Sequence, residues 1–354
     1  MSFTPFNAPL LSGLLGDREA TAFFTVKAEL DCMIGFEIAL AKAQAGQGVI
    51  PSEAAGQIEN ALHGFEPDIT AIGAETARDG VVVPELVRQM RNAVGKPHAE
   101  RLHFGTTSQD LIDTSFIMRI KSLLILLESR IEQVESILET LQVRFGGNFL
   151  MGRTRMQAAL PITVADRLAS WRTPFAVHRQ RLGELKPRLF RLQFGGAVGT
   201  LDRLGDKAQA VADDLARRLD LGAPDRSWHT DRSAIAELAN WLSLVTGSLG
   251  KIGQDVALMA QNERGEVALS GGGGSSAMPH KQNPVLAEAL VTLARFNATQ
   301  LAGLHHALVH EQERSGSAWT LEWMLMPQVA IATAASLRNA IALLRSVEGM
   351  GEEG

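Results

Sequence analysis

Cysteine is almost absent from this sequence: Cys32 is the only one among 354 residues. A single cysteine excludes an intramolecular disulfide and a CxxC metal site. Segments of roughly 18 uncharged apolar residues, which a membrane-spanning helix needs, are also missing. The N-terminal residues lack the basic and apolar regions of a secretory signal. These absences predict a cytoplasmic protein with no membrane partner.

An excess of positive charge is also absent, since the formal net charge is −5. A chain of this charge has no general attraction for nucleic acid, and we expect no nucleic-acid partner. Any anionic substrate must therefore be held by local positive groups. Hydrophobic residues make up 45% and charged residues 21% of the chain, a balance that predicts a folded globular protein.

Helical periodicity is the strongest pattern in the sequence. Between Phe116 and Val143, apolar residues recur every three or four positions, which predicts one face of a helix of about 28 residues. Similar patterns occupy residues 161–185, 229–261, 284–310 and 321–344. Alternating, strand-like runs are rare. The sequence therefore predicts an all-α protein built on a bundle of long helices, which we expect to associate with copies of itself.

The positions of glycine and proline residues, which interrupt helices, suggest the domain organisation. Shorter helical patterns fill residues 1–97, and Gly95-Lys96-Pro97 marks a plausible boundary. We therefore predict an N-terminal helical domain over residues 1–97 and a central bundle domain over residues 98–348. The glycine-rich and acidic end, residues 349–354, is predicted to be a flexible tail.

The first of three polar motifs is HFGTTSQD, residues 103–110. Thr107 and Asp110 have the spacing of a capping box, with a long helical pattern behind them. Alone, this motif indicates no more than the start of a helix.

The second motif is GRTRMQAALP, residues 152–161. Arg153 and Arg155 stand just before Pro161, which suits the first turn of a helix. An arginine can hold a carboxylate through two parallel hydrogen bonds. Taken alone, however, the two arginines are more typical of surface or ion-pair positions than of a binding site.

The third motif, residues 270–284, has four consecutive glycines followed by a polar cluster that includes Lys281. Asn283 suits an N-cap and Pro284 a first helical position. A mobile loop attached to a helix N-terminus can capture an anion and exclude water. The GxxxxGK[ST] spacing of a phosphate loop is absent. The alternative is a flexible linker between two helices.

Together, these segments resemble one known family. SSAMPHKQNP, residues 275–284, is similar to the signature loop of the fumarase/aspartase superfamily, GSSxMPxKxNP, which is a highly specific pattern. HFGTTSQDLIDT and GRTRMQAALPIT resemble the first and second shared regions of that superfamily. QFGGAVGTL and SWHTDR resemble its carboxymuconate cycloisomerase branch.

The resemblance, which covers roughly residues 15–345, implies a fold and an activity. It implies an all-α homotetramer with a central helical bundle and active sites drawn from three subunits. The small helical domain that usually follows in this family is expected to be mostly or entirely lacking. The branch converts 3-carboxy-cis,cis-muconate, a small polycarboxylate, into a γ-lactone in aromatic (protocatechuate) catabolism. The reaction passes through an aci-carboxylate intermediate and needs no metal or organic cofactor.

The resemblance also assigns roles to individual residues. Ser275 matches the proton-transfer residue, and Lys281 and Asn283 match the groups that bind the substrate carboxylate. A lysine and a helix N-terminus can stabilise the charge that develops on that carboxylate. The remaining substrate-binding matches are His103, Thr107, Ser108, Arg153, Thr154, Arg155 and Gln157. Arg18 and Arg232 also match, although the sequence around them is less diagnostic of the family.

One departure from the lyase members of the superfamily favours the cycloisomerase. Their second region reads approximately THxxxHAxP, and here the two histidine positions are Arg155 and Ala158. Alanine cannot protonate a leaving amine, whereas a carboxylate that enters or leaves a lactone is already a stable anion. Glu288 matches the glutamate that pairs with the second histidine in those lyases. Because that histidine is missing here, Glu288 is expected to have a supporting role. Arg155 is expected to hold a substrate carboxylate or to pair with Glu288.

Three alternatives remain open at this point. His229 is predicted to support the site, and it could also replace the missing acid. The substrate could be another anionic muconate, such as a sulfomuconate, or the chain could be a C–N lyase such as adenylosuccinate lyase. A non-enzymatic helical scaffold is disfavoured by the intact set of Ser275, Lys281 and Asn283.

Overall fold

The computed structural model describes residues 4–274, 278 and 282–353. Helices dominate this part of the chain, as predicted. They are α1 (Ser12–Leu15), α2 (Arg18–Ala22), α3 (Val26–Gly46), α4 (Ser52–Leu62), α5 (Ile69–Asp79), α6 (Val83–Val94), α7 (Ser108–Phe145), α8 (Val164–Leu189), α9 (Ala208–Arg218), α10 (Ser233–Met259), α11 (Val285–His306) and α12 (Gly316–Arg345). Two short 3₁₀ turns lie at Ala99–Arg101 and Asp202–Lys207.

Two small antiparallel pairs of strands accompany the helices. β1 (Phe149–Thr154) pairs with β2 (Gln157–Thr163) as a hairpin. β3 (Val267–Leu269) pairs with β4 (Val347–Met350). Among the described residues no helix is both long enough and apolar enough to span a membrane.

The long helices α7, α8, α10, α11 and α12 form an antiparallel bundle. Its upper end is defined by the start of α7, where Asp113 contacts Arg232, and its lower end by the end of α7 and the two strand pairs. α7 has 38 residues, so at 1.5 Å per residue these ends are about 57 Å apart. The all-α bundle prediction is confirmed.

The apolar side chains form two cores. One runs through the bundle, and it includes Phe6 and Ala20 from the N-terminal segment. The other joins α3–α6 to α9, to the start of α7 and to Trp319 of α12. Because both cores draw on residues from each side of position 97, the two predicted domains pack as interlocked units, and the boundary itself stays a prediction.

The structure differs from the sequence predictions at the heads of two helices. Pro161 lies in β2, and α8 begins after Thr163, which forms a capping box with Asp166. Asn283 does not cap α11, because Pro284 takes the N-cap position and no side chain caps the helix. The backbone of Asn283 instead exchanges two hydrogen bonds of 2.9 Å with Gly273.

The end of the chain also differs from the prediction of a flexible tail from residue 349. Met350 pairs with Val267 in the β3–β4 ladder, and the backbone of Glu352 exchanges two hydrogen bonds with Phe149. The backbone of this segment is therefore paired to the lower end of the bundle up to residue 352. Glycines at 349 and 351, which suggested freedom, serve this pairing, and Gly351 has a φ of +73°.

Candidate active site

The upper end is organised around the carboxylate of Asp110, which completes the predicted capping box of α7. Asp110 accepts hydrogen bonds from the backbone N–H of Thr107 at 3.1 Å and from those of Gly195 and Gly196 at 2.9 Å each. The ring of His229 contacts the same carboxylate through Nε2 at 2.7 Å. One buried acid thus fixes three separate segments at the head of α7.

Thr107 and Ser108 stand at the start of α7 and are half-buried. A helix N-terminus carries unpaired N–H groups and partial positive charge, so it favours a carboxylate. His229, in contrast, is 4% exposed and its ring is committed to Asp110. This geometry suits a residue that supports the site better than one that exchanges protons with a substrate.

His103 lies beside this helix start in an unusual backbone conformation, with φ of +61°. Its Nδ1 is 2.5 Å from Oε1 of the buried Glu37, and its backbone N–H donates to Oε2 at 3.1 Å. These two contacts hold a residue that would otherwise avoid the left-handed region. The ring of His103 is therefore fixed in one orientation.

Arg232 is 2% exposed and lies between two buried carboxylates. It donates to Asp113 at 2.7 and 3.2 Å and to Glu322 at 2.9 and 2.5 Å. Burial alone lowers the pKa of Arg232, but the two carboxylates outweigh that effect and raise it. Burial likewise raises the pKa of Glu322, although Arg232 opposes this. A substrate carboxylate could reach Arg232 only by displacing one of these partners, which differs from the substrate-binding role that the sequence predicted.

The lower end exposes the second motif on the β1–β2 hairpin. The hairpin turns at Arg155 and Met156, whose φ angles are +48° and +68°, and Thr154 and Gln157 flank them on the strand ends. All four residues are exposed. A two-residue turn with two positive φ angles usually contains glycine or asparagine, so this turn is strained. The strain presents Arg155 at the tip of the hairpin.

Two further predicted residues lie at the lower end. Arg153, in β1, donates to Glu266 at 3.2 Å. Glu288 is exposed in the first turn of α11. Among the described residues no ion pair joins Glu288 to Arg155. The predicted catalytic residues Ser275 and Lys281 lie outside the described residues, whereas Asn283 is described and its backbone pairs with Gly273.

The predicted site residues therefore fall into separate groups. The upper end brings together His103, Thr107, Ser108, His229 and Arg232, and the lower end carries Arg153, Thr154, Arg155, Gln157, Asn283 and Glu288. Arg18 belongs to neither group. It is exposed at the start of α2, next to Asp17, which pairs with Arg130 at 2.7 Å. Arg130 lies about 33 Å along α7 from Ser108.

Several polar residues at the upper end were missed from the sequence. Gln109 donates to Asp113 at 3.1 Å, and Arg314 donates to Gln109 at 3.0 Å. Gln109 and Asp113 are four residues apart, on the same face of α7. The signal for a buried polar face was therefore present in SQDLID, but its partners Arg232 and Arg314 are distant in sequence. Within the described part of the chain, no group of three or more His, Cys, Asp and Glu side chains is placed to hold a metal ion.

Comparison with known proteins connects this arrangement to a family. Residues 17–298 match the family described as Lyase. A 3-carboxy-cis,cis-muconate cycloisomerase of Pseudomonas aeruginosa is 41% identical over 335 residues, which is 92% of this chain and 72% of the relative. One of Pseudomonas putida is 37% identical over 349 residues, or 97% of this chain and 81% of the relative.

A solved structure agrees with the sequence relatives. The crystal structure of 3-carboxy-cis,cis-muconate lactonizing enzyme from Pseudomonas putida superposes with a TM-score of 0.92 at 38% identity. The match covers 97% of this chain and 78% of that one. The chain belongs to this lyase family, and the resemblance to the fumarase/aspartase superfamily is confirmed.

Proposed function

We propose that the chain is a cofactor-independent cycloisomerase that interconverts 3-carboxy-cis,cis-muconate and its γ-lactone. The observation that carries this proposal is the composition of the hairpin. Arg155 presents a cation at its strained tip, and Ala158 stands where the lyase members have a proton donor. The hairpin can therefore hold an anion, while the histidine that would protonate a departing amine is missing. The names and high coverage of the relatives support the same reaction.

In this proposal, a carboxylate oxygen of the substrate forms a bond to a carbon of the conjugated diene. The electron pair of the double bond moves onto the neighbouring carboxylate, which becomes an aci-carboxylate. Lys281, Asn283 and a helix N-terminus stabilise that charge. The hydroxyl of Ser275 then gives a proton to the α-carbon, and the γ-lactone results. In the reverse direction, a seryl alkoxide removes the same proton.

We also propose that the site is assembled from several chains of a homotetramer. The support is the separation of the motifs, because the head of α7 is about 57 Å from its other end, where Arg155 and Asn283 lie. A small polycarboxylate cannot bridge that distance. Antiparallel packing of a second bundle would bring the upper end of one chain next to the lower end of another. A cytoplasmic location is part of the proposal, and cell fractionation tests it.

The direct test follows the ultraviolet absorbance of 3-carboxy-cis,cis-muconate, which falls as the conjugated diene is consumed, together with the appearance of the lactone. Ser275→Ala should lower kcat by about 10³–10⁴-fold, the upper part of the range for a lost proton-transfer group. The neighbouring Ser276→Ala is the matched control and should lose far less. Near-normal turnover by Ser275→Ala would remove this serine from the mechanism.

Subunit complementation tests the shared site. Ser275→Ala and a variant altered at the upper end, Ser108→Ala, should each be nearly inactive. After the two are mixed, dissociated and reassembled, some sites contain neither substitution, so activity should return to as much as about a quarter of the wild-type level. Failure to recover any activity, with mixed tetramers demonstrated, would contradict the shared site.

The alternatives are separated by their substrates. Comparison of kcat/KM for 3-carboxymuconate, a sulfomuconate and adenylosuccinate identifies the preferred class, because specificity is the ratio of these constants. Preference for adenylosuccinate would overturn the proposal. A folded tetramer that turns over none of them would favour the scaffold.

A further inference from the structure

A cavity of about 180 Å³ lies between α3, α7 and α12, and no residue of the β1–β2 hairpin lines it. It begins near Ile112, one turn or about 6 Å along α7 from Ser108. One wall is apolar and largely aromatic, and consists of Phe24, Phe116, Trp323, Met326 and Pro327. The other wall is charged. The cavity thus has the two-sided character of a site for a small amphipathic molecule.

Arg119 is the unusual residue of the charged wall. It is 7% exposed, yet its hydrogen bonds are long: 3.3 Å to the carbonyl of Ser115, 3.4 Å to that of Phe23 and 3.5 Å to Oε1 of Glu29. Good N–H···O bonds measure about 2.7–3.2 Å. Burial accordingly lowers the pKa of Arg119, with Glu29 as its main opposing charge. This buried cation is weakly compensated by the chain itself.

Two other buried arginines provide the comparison. Arg130 donates to Asp17 at 2.7 Å and to Glu19 at 2.9 Å, and Arg232 binds Asp113 at 2.7 Å and a second carboxylate at 2.5 Å. Buried guanidinium groups in this chain therefore normally have short ionic partners. Arg119 departs from that pattern at a place where its side chain lines a cavity.

The remaining charges on the cavity wall determine what it can accept. Asp113 and Glu322 share one cation, Arg232, which offsets part of their negative charge, and burial raises the pKa of Glu322, which favours its neutral form. Glu29 is only loosely paired with Arg119, and 36% of its side chain is exposed. Its carboxylate can therefore turn towards water and leave Arg119 to another carboxylate, which could approach closely enough for short hydrogen bonds.

We propose that this cavity is a second ligand site, which binds a small carboxylate with an apolar body of about the size of a benzene ring, the carboxylate on Arg119 and the ring against Trp323 and Phe116. A cavity of about 150 Å³ lined by apolar side chains holds benzene, so this volume suffices. The site shares Asp113 and Arg232 with the upper end of the bundle, and its occupancy is expected to change substrate binding at Thr107 and Ser108.

Benzoate is the probe, titrated by calorimetry into the intact oligomer. Arg119→Met should weaken benzoate binding at least about tenfold, because it removes the cation and keeps the side-chain volume. Glu29→Gln should tighten binding several-fold, because it removes the competing carboxylate. Arg172→Met, at an exposed ion pair with Glu139, is the matched control and should change nothing. Benzyl alcohol, which lacks the charge, should bind more weakly than benzoate.

Saturating tricarballylate, a non-cyclising tricarboxylate, separates the two sites. Benzoate should still bind in its presence, with at most a shifted affinity. Full displacement of benzoate, or equal affinity of Arg119→Met and wild type, would overturn the second site. If Arg119→Met fails to fold, Ile112→Phe, which fills the cavity and keeps the arginine, must abolish binding, and Glu29→Gln must strengthen it. The titration measures the heat of benzoate binding, so its result does not depend on whether the protein forms the lactone.

Discussion

The upper and lower ends of the bundle differ in the exposure and the ionic partners of their arginines. Arg232 at the upper end is 2% exposed and bonded to two carboxylates, whereas Arg155 at the lower end is exposed at a hairpin tip beside Met156, which is 64% exposed. The upper end is therefore organised within one chain. The lower end exposes polar and apolar side chains to solvent. Such side chains are suited to contact a neighbouring chain.

The two ends also differ in the kind of unfavourable free energy that their local structure carries. At the upper end the cost is electrostatic, because Asp110, Asp113 and Glu322 are buried, and it is offset by short hydrogen bonds. At the lower end the cost is conformational, because two residues other than glycine occupy the left-handed region. Substitutions among the buried charged groups of the upper end should therefore act mainly on stability, and those of the exposed hairpin arginine at the lower end mainly on turnover.

The largest expected effect on stability comes from Arg232→Met. Removing this guanidinium leaves Asp113 and Glu322 buried without a cation, which should lower the free energy of unfolding by about 3–5 kcal/mol. Urea unfolding followed by circular dichroism measures it. Because Glu322 already has a raised pKa, its protonation should absorb part of the loss, so the deficit should shrink as pH falls.

The same experiment tests the role that the sequence assigned to Arg232. A substrate-binding arginine would leave stability unchanged and raise KM. A stable Arg232→Met variant with a strongly raised KM would therefore break the contrast between the two ends. Arg172→Met, whose side chain and partner are both exposed, is the control and should change stability by less than about 0.5 kcal/mol.

A smaller effect, on catalysis, is expected from Arg155→Met at the lower end. If this arginine holds a substrate carboxylate, its loss should lower kcat/KM by about 10–100-fold, or about 1.4–2.7 kcal/mol of transition-state stabilisation. Stability should stay within about 0.5 kcal/mol of the wild type, since no described ion pair of the chain is lost. A drop in stability with normal kcat/KM would instead assign Arg155 to the subunit interface.

Elements with a clear pattern of burial in the sequence were predicted, and elements without one were missed. The long helices were predicted because burial along them follows a period of 3.6 residues, as from Ile117 to Leu141 in α7. The β1–β2 hairpin was missed because both strands are largely exposed and show no alternation. Pro161 then suggested a helix start, although the Thr163/Asp166 capping box was the correct signal.

The candidate site was predictable only in part for a related reason. Local motifs identified the capping box of Thr107 and Asp110, because its two partners are three residues apart. The ion pairs of Arg232 with Asp113 and Glu322 span 119 and 90 residues, and no local pattern reveals them. The pairing of Asn283 with Gly273 was hidden in the same way, since the sequence at 283–284 reads equally well as a helix cap.

The smallest effect is expected from Met156→Gly in the strained turn. Glycine adopts a φ of +68° without the clash that a side chain meets there, so the free energy of unfolding should rise by about 0.5–1 kcal/mol despite the entropy that glycine loses on folding. Urea midpoints of the variant and of Met151→Gly, a control in the extended part of β1 that should be destabilised, measure it. If Met156→Gly gains stability while kcat/KM falls, the rigid turn serves to aim Arg155. If it loses stability instead, the exposed Met156 side chain packs against a neighbouring chain in the assembly, and the lower end is held by partners and not by its own backbone.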